Sequence, residues 1–459
     1  MNIIILIVAG GGFLYLLIHK PEIVAVLLFT MVISKINFDL KGLPLNSKAI
    51  ISLALFFRVL MDKKGVKFST FLANPTAKLL VIFLSYVILI ALSQDLFTMD
   101  LVKESISSVL AAFFVYHYFL KLHSDNQLKT ALIASGLICF ADLAYTYVVF
   151  GGFPIHRLTE KYASNEYGTD YVEDIEGPNW NFFGQTCGMC FVFMLSGIIK
   201  NKSEKKIAFL LLPIMLLGVL MSTSRSALLG LLVVVILIIL NGINYREQKR
   251  KITKITIFIV GTAFAGILLF AIFGRFLNLN SRFIDEMISR MSDEPVAILK
   301  KSLGQQYNIN NLGSMYWREE SSEIAYTAYL NLDLREQIFG IGNTGFEARS
   351  LGHGFNAHNA TLLLLIENGM VGFLIFFFLV GGTIIRSLRM KNFSPCVSVV
   401  LFTIVYGLGQ NSEWTSITTY IFLFGIVSEI QLLRKGFHLA EAPEKQEIGK
   451  TLLKEGKSI

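Results

Sequence analysis

Long apolar runs recur from one end of this chain to the other, separated by short polar connections, and this pattern predicts helices that cross a lipid bilayer. The runs fall at about 2–18, 21–35, 48–60, 78–93, 104–120, 128–150, 181–199, 206–221, 225–240, 254–273, 369–386, 395–409 and 416–433. Crossing the hydrocarbon takes about 20 helical residues, somewhat fewer in kinked or shallow segments, and these runs are of that order. Strands of a membrane barrel would alternate apolar and polar positions, and the run from Leu228 to Leu240 does not. The expected fold is therefore all-α, a polytopic transmembrane bundle of about 12–13 helices.

One polar stretch interrupts the pattern. It runs from Gly274 to Asn356, carries Gly340-Ile341-Gly342-Asn343-Thr344-Gly345-Phe346, and is followed by His358-Asn359-Ala360-Thr361-Leu362 where apolar sequence resumes. The chain thus divides into N-terminal membrane helices (1–273), one large polar loop (274–357), C-terminal membrane helices (358–433) and a charged tail (434–459).

Composition agrees: 54% of residues are hydrophobic and 16% charged, far from the average of a soluble globular domain. The first segment lacks a basic start and a small-residue cleavage site, so it reads as a retained helix. Basic residues cluster on alternate connections: Lys63, Lys64, Lys67 and Lys78; Lys200, Lys202, Lys205 and Lys206; Arg246 to Lys254; Arg386, Arg389 and Lys391; and the tail. The positive-inside rule makes those connections cytoplasmic. The large loop, the 151–181 loop, the 94–103 connection and the Ser222-Thr223-Ser224-Arg225 turn then share the opposite, extracytoplasmic face. The net charge of +8 is explained by cytoplasmic lysines facing anionic lipid, which argues against a nucleic-acid partner. All four cysteines lie in apolar runs, and the Cys187-x-x-Cys190 pair has no second pair or nearby histidine to suggest a metal or redox role.

Candidate chemistry gathers at the outer ends of helices. Arg225 opens a helix behind hydroxyl residues, including Ser222 and Ser224, that suit capping; the free amides and positive dipole end there fit an anion such as a diphosphate. His358 is the candidate general base, since imidazole titrates near neutral pH and can take a proton from an attacking hydroxyl. Asn356 is placed to cap a short helix running to Ile366 and stopped by Asn368-Gly369, ahead of the 369–386 span. Glu367 falls about 180 degrees round that helix from His358, so a structural role is expected for it. Gly340 to Gly345 spells G-x-G-x-x-G, but with no βαβ unit around it the glycines are read as tight turns and close backbone approach. Asp170, Glu173, Asp174 and Glu176 lack metal-binding spacing and read as a surface acidic run, so no metal is expected. Asp142 and Arg58 are intramembrane charges in need of partners.

Together these residues resemble the O-antigen ligase and polymerase superfamily of bacterial membrane glycosyltransferases. Ser222 to Ser226 resembles its S-x-S-R helix start. Tyr316-Trp317-Arg318 and Phe339 to Gly342 resemble its loop arginine and glycine turn; His358-Asn359 with Leu362, Glu367, Asn368, Gly369 and Gly372 resembles its H-N-x-x-L, E-x-G-x-x-G ending. Pro178-Asn179-Trp180-Asn181 resembles the asparagine found before an earlier helix in many members. The resemblance implies glycan transfer from an undecaprenyl diphosphate carrier to an acceptor hydroxyl, without metal or cofactor, on the periplasmic side of the bacterial inner membrane. Arg225 and Arg318 would bind the diphosphate and His358 would activate the acceptor, with Ser222, Ser224, Asn359 and Asn181 contacting substrate. The tryptophan here precedes Arg318, where many members carry one after it, so Arg282 stands as the alternative cation. The acceptor would be another repeat unit for a polymerase, or lipid A core for a ligase. A lipid-linked glycan flippase or transporter is the rival of another class, and it would place its polar groups near the bilayer midplane.

Overall fold

The computed structural model describes residues 2–33, 47–62, 67–96, 98–122, 126–150, 180–200, 205–222, 224–243, 314–343, 345–349, 359–389 and 395–408, with isolated positions elsewhere. The described residues are almost all helical and no strand occurs among them. The helices are α1 (Asn2–His19), α2 (Pro21–Ile33), α3 (Ser47–Leu60), α4 (Phe68–Ala73), α5 (Pro75–Ser93), α6 (Met99–Leu122) and α7 (Asn126–Phe150). They continue as α8 (Trp180–Lys200), α9 (Lys205–Met221), α10 (Arg225–Ile243), α11 (Ser314–Asn331), α12 (Leu334–Phe339), α13 (Gly345–Ala348), α14 (Ala360–Arg389) and α15 (Pro395–Leu408). The expected spans at 254–273 and 416–433 lie outside the described residues but for three helical positions, and so do the 151–179 loop and the tail.

By length and composition, Pro75–Ser93 and Ala360–Gly382 can cross a membrane, while seven shorter apolar helices of 10–17 residues accompany them. The first two segments join at a sharp bend: Gly11–His19 and Pro21–Met31 meet at 114°. Pro21 explains it, because its ring suits the first turn of a new helix and cannot continue the old one. Arg58 gains a partner at this corner, its Nη2 reaching the Ile18 carbonyl at 3.5 Å. Helix α4 was not expected; its short apolar stretch ends at Asn74, whose Oδ1 accepts from the Ala77 amide at 3.0 Å and starts α5 with Pro75 at the first position.

Helix α8 is the centre of the bundle, buried at every position from Phe183 to Ser196, and packs against α7, α9, α10 and α15. Small residues make that closeness possible. A methyl group on Gly184 would lie 2.8 Å from Ser222 Cβ, one on Gly188 would strike the Phe402 ring, and one on Gly218 would be 2.5 Å from Cys187 Sγ. The hydroxyls of Ser196 and Ser398 hydrogen-bond across α8 and α15.

These contacts set directions. Gly188 meets Phe402 and Ser196 meets Ser398, so α8 and α15 are antiparallel; Gly184 meets the residues just before α10, so α8 and α10 start together. Five residues join α14 to α15, and α5 lies antiparallel to α14, with Phe83 against Phe376 and Tyr86 against Gly372. The end of α5 and the starts of α8, α10 and α14 therefore share one end of the bundle, the grouping that the alternation of basic connections predicts for these segments.

Candidate active site

The turn between α9 and α10 is closed by its own serines. Ser222 Oγ donates to the Val219 carbonyl at 2.6 Å and accepts from the Ser224 amide at 3.2 Å, while the Ser224 carbonyl takes the first α10 bond, from Leu228 at 3.0 Å. Ser222, Ser224 and Ser226 are all buried. The Ser222 hydroxyl thus serves the turn. Arg225, the first residue of α10, is partly buried beside this turn. Asn181 is the second residue of α8, three before Gly184.

The second part of the site is built around a break in α14. Gly369 adopts φ 62° and ψ −175°, which interrupts the helix between Asn368 and Met370. This differs from the expected short helix and separate 369–386 span: the chain leaves helical geometry for one glycine and resumes at once. The cap also differs. Asn359 Oδ1 accepts from the amides of Thr361 at 3.0 Å and Leu362 at 3.2 Å, so Asn359 caps the helix in the role assigned to Asn356, which lies outside the described residues.

A broken helix leaves carbonyls without their usual donors, and inside a bundle they must find others. The glycine turn supplies them. Helix α12, started by Asp333 Oδ1 accepting from the Glu336 amide at 2.7 Å, ends at Gly340 with φ 89°. The Ile341 amide then donates to the Ile366 carbonyl at 3.2 Å, and the Gly342 amide to the Glu367 carbonyl at 2.9 Å. Two backbones in such contact have no room for side chains. A methyl on Gly340 would be 2.6 Å from the Asn368 carbonyl carbon, and one on Gly369 would be 2.5 Å from the Ile338 carbonyl carbon. The expectation of tight turns and close approach holds, with Glu367 buried in the joint.

Tyr86 completes the joint from α5. Its hydroxyl reaches the Phe339 carbonyl at 2.8 Å and the Asn368 carbonyl at 3.0 Å. A second tie lies further out: Arg349 contacts Glu336 Oε1 at 2.6 Å through Nη1 and Gln94 Oε1 at 2.9 Å through Nη2, and Gly342 sits against Leu96 and Gln94. Neither Tyr86 nor Gln94 is a candidate in the sequence, where a tyrosine within an apolar run and a glutamine in a short connection carry no local signature. The Asn368-Gly369 pair was the one available signal, and it reads as a helix end.

A small apolar cluster of Ala325, Ile341, Phe346 and Ile366 fastens α11 to the outer half of α14. Arg318 is the fifth residue of α11, seven before Ala325. Tyr329 ties α11 to α12 by donating to the Gln337 carbonyl at 3.3 Å, and burial pushes its pKa above the usual tyrosine value. His358 and Arg282 lie outside the described residues.

The arrangement gives a guanidinium at a helix start and a sharply held helix start at Asn359, both at one end of an apolar bundle. Among known families, the one described as O-antigen ligase matches residues 209–377, which run from α9 into α14 and take in both parts of the site. No curated protein matches the sequence.

Proposed function

Through that segment the chain belongs to the O-antigen ligase superfamily, an O-antigen ligase- or polymerase-like membrane glycosyltransferase, and on this premise we propose the reaction it performs. The donor is a glycan on undecaprenyl diphosphate and the acceptor is a sugar hydroxyl of another repeat unit, joined at the periplasmic face of the inner membrane. The acceptor oxygen attacks the anomeric carbon as the bond from that carbon to the diphosphate oxygen breaks, and the configuration inverts. His358 takes the hydroxyl proton. The diphosphate leaves with the electron pair and stays on the lipid.

The charge that develops on the departing diphosphate is what the protein must stabilise. Arg225, at the positive end of α10, supplies a planar fork of donors matched to phosphate oxygens, and Arg318 on α11 supplies a second. Guanidinium charge takes the part that a metal would otherwise play. What supports the reading is the shared end of the bundle: the starts of α8, α10 and α14 lie together, Asn181, Arg225 and Asn359 stand at those starts, and His358 is the neighbour of Asn359 in sequence. A transporter would gather such groups near mid-depth. Lipid A core as acceptor is the second reading, favoured by the family description itself.

Profiling the surface and lipid-linked polysaccharide of a deletion strain complemented with Arg225→Ala or His358→Ala tests this. Each variant, expressed at wild-type level, is expected to transfer at least about a hundredfold less glycan. Single-repeat products identify a polymerase, full-length chains held on carrier lipid a ligase, and an unchanged profile removes both readings.

A further inference from the structure

The carbonyls at the break in α14 are accounted for one by one. Ile366 and Glu367 receive the amides of Ile341 and Gly342; the Asn368 carbonyl receives the Tyr86 hydroxyl. The same O–H shares its single proton with the Phe339 carbonyl at the end of α12. The two contacts span 253 and 282 residues. The asparagine at the break does not secure it: the Asn368 side chain is fully buried, and neither of its amide atoms has a hydrogen-bond partner among the described residues. Gly372 keeps the space open for the ring, because a methyl there would be 2.9 Å from Tyr86 Cε1.

We infer that Tyr86 is a positioning residue that holds the outer half of α14 at a fixed angle to its inner half. A helix with one glycine out of helical geometry can bend at that point, and the bend moves everything on the outer side. Residues 359–368 are on the outer side, with Asn359 at their start and His358 immediately before it. One oxygen on α5, whose Phe83 packs on Phe376 of the inner half, therefore fixes both the glycine turn and the helix start next to the proposed base. What is positioned rests on the glycosyl-transfer reading; the latch itself does not.

The test uses the full chain in lipid nanodiscs as wild type, Tyr86→Phe and Gly372→Ala. Hydrogen exchange is followed in peptides covering 338–344 and 364–374, with α8 peptides as the internal reference. Loss of the hydroxyl is expected to speed exchange in the two joint peptides about tenfold and leave α8 unchanged. Gly372→Ala, whose methyl would meet Asn368 Cβ at 2.5 Å as well as the Tyr86 ring, is expected to do the same, and wild-type exchange in it overturns the latch should Tyr86→Phe aggregate. Wild-type exchange in a folded variant overturns the latch.

Turnover is then measured with an undecaprenyl-diphosphate-linked oligosaccharide. Positioning predicts a kcat about tenfold lower with the KM for this donor held within about twofold. Faster exchange with unchanged kcat overturns the positioning role. A wild-type chain that transfers nothing sinks the functional reading, and exchange alone then decides whether Tyr86 is the latch.

Discussion

At the scale of single residues, glycines separate by what surrounds them. Gly340 and Gly369 both have positive φ and face each other's backbone, so alanine at either brings strain and collision together. Each substitution is expected to cost on the order of 2–4 kcal/mol, read as a lower thermal midpoint in detergent. Gly381 lies in the same helix with nothing within 4 Å of its missing Cβ. Alanine there should be neutral or stabilising by up to about 1 kcal/mol, through the lower entropy of the unfolded chain. Equal losses at all three positions would contradict the joint. The sequence showed the G-x-G pattern and excluded a dinucleotide site, but it could not show that the partner of Gly340 is Gly369.

At the scale of the element, α14 is one helix in two parts, and its start tests how structure and chemistry divide at Asn359. The side-chain oxygen caps the helix, so Asn359→Ala is expected to cost about 1 kcal/mol, while Asn359→Asp keeps the accepting oxygen and the stability. A paired measurement of unfolding and transfer separates the roles: an aspartate variant as active as wild type makes Asn359 a cap, and a stable but inactive one makes its amide donor a substrate contact. Hydrophobic patterning located this helix and most others closely. It missed α4, which is only six residues long, and the polar-loop helices α11, α12 and α13, which carry no long apolar run, and it split α14 at Asn368-Gly369. A local stop signal states that the helix is interrupted; whether the chain turns away or resumes is decided by what receives the freed carbonyls.

At the scale of the whole molecule, the shared end of α5, α8, α10 and α14 makes a prediction about access. Single cysteines at Gln94 and Arg349 should react with a membrane-impermeant maleimide from the same side, and one at Lys391 only from the other. Cys139, Cys187, Cys190 and Cys396 are buried and should stay silent, giving a usable background. Labelling of positions 94 and 349 from opposite sides would break the bundle topology described above. The amino-acid sequence by itself determined the all-helical membrane class, because burying long apolar runs in lipid with every backbone group satisfied depends on composition and local hydrogen bonding alone. It also singled out the helix start at Arg225 and the motif at Asn359, whose local chemistry is visible over a few residues. Only the tertiary structure decided that Ser222 serves its own turn, that a glycine turn from the polar loop seals α14, and that Tyr86 joins the two. Those contacts depend on which helices are neighbours, and a hydrogen bond between residues 282 positions apart leaves no periodicity in the chain to read.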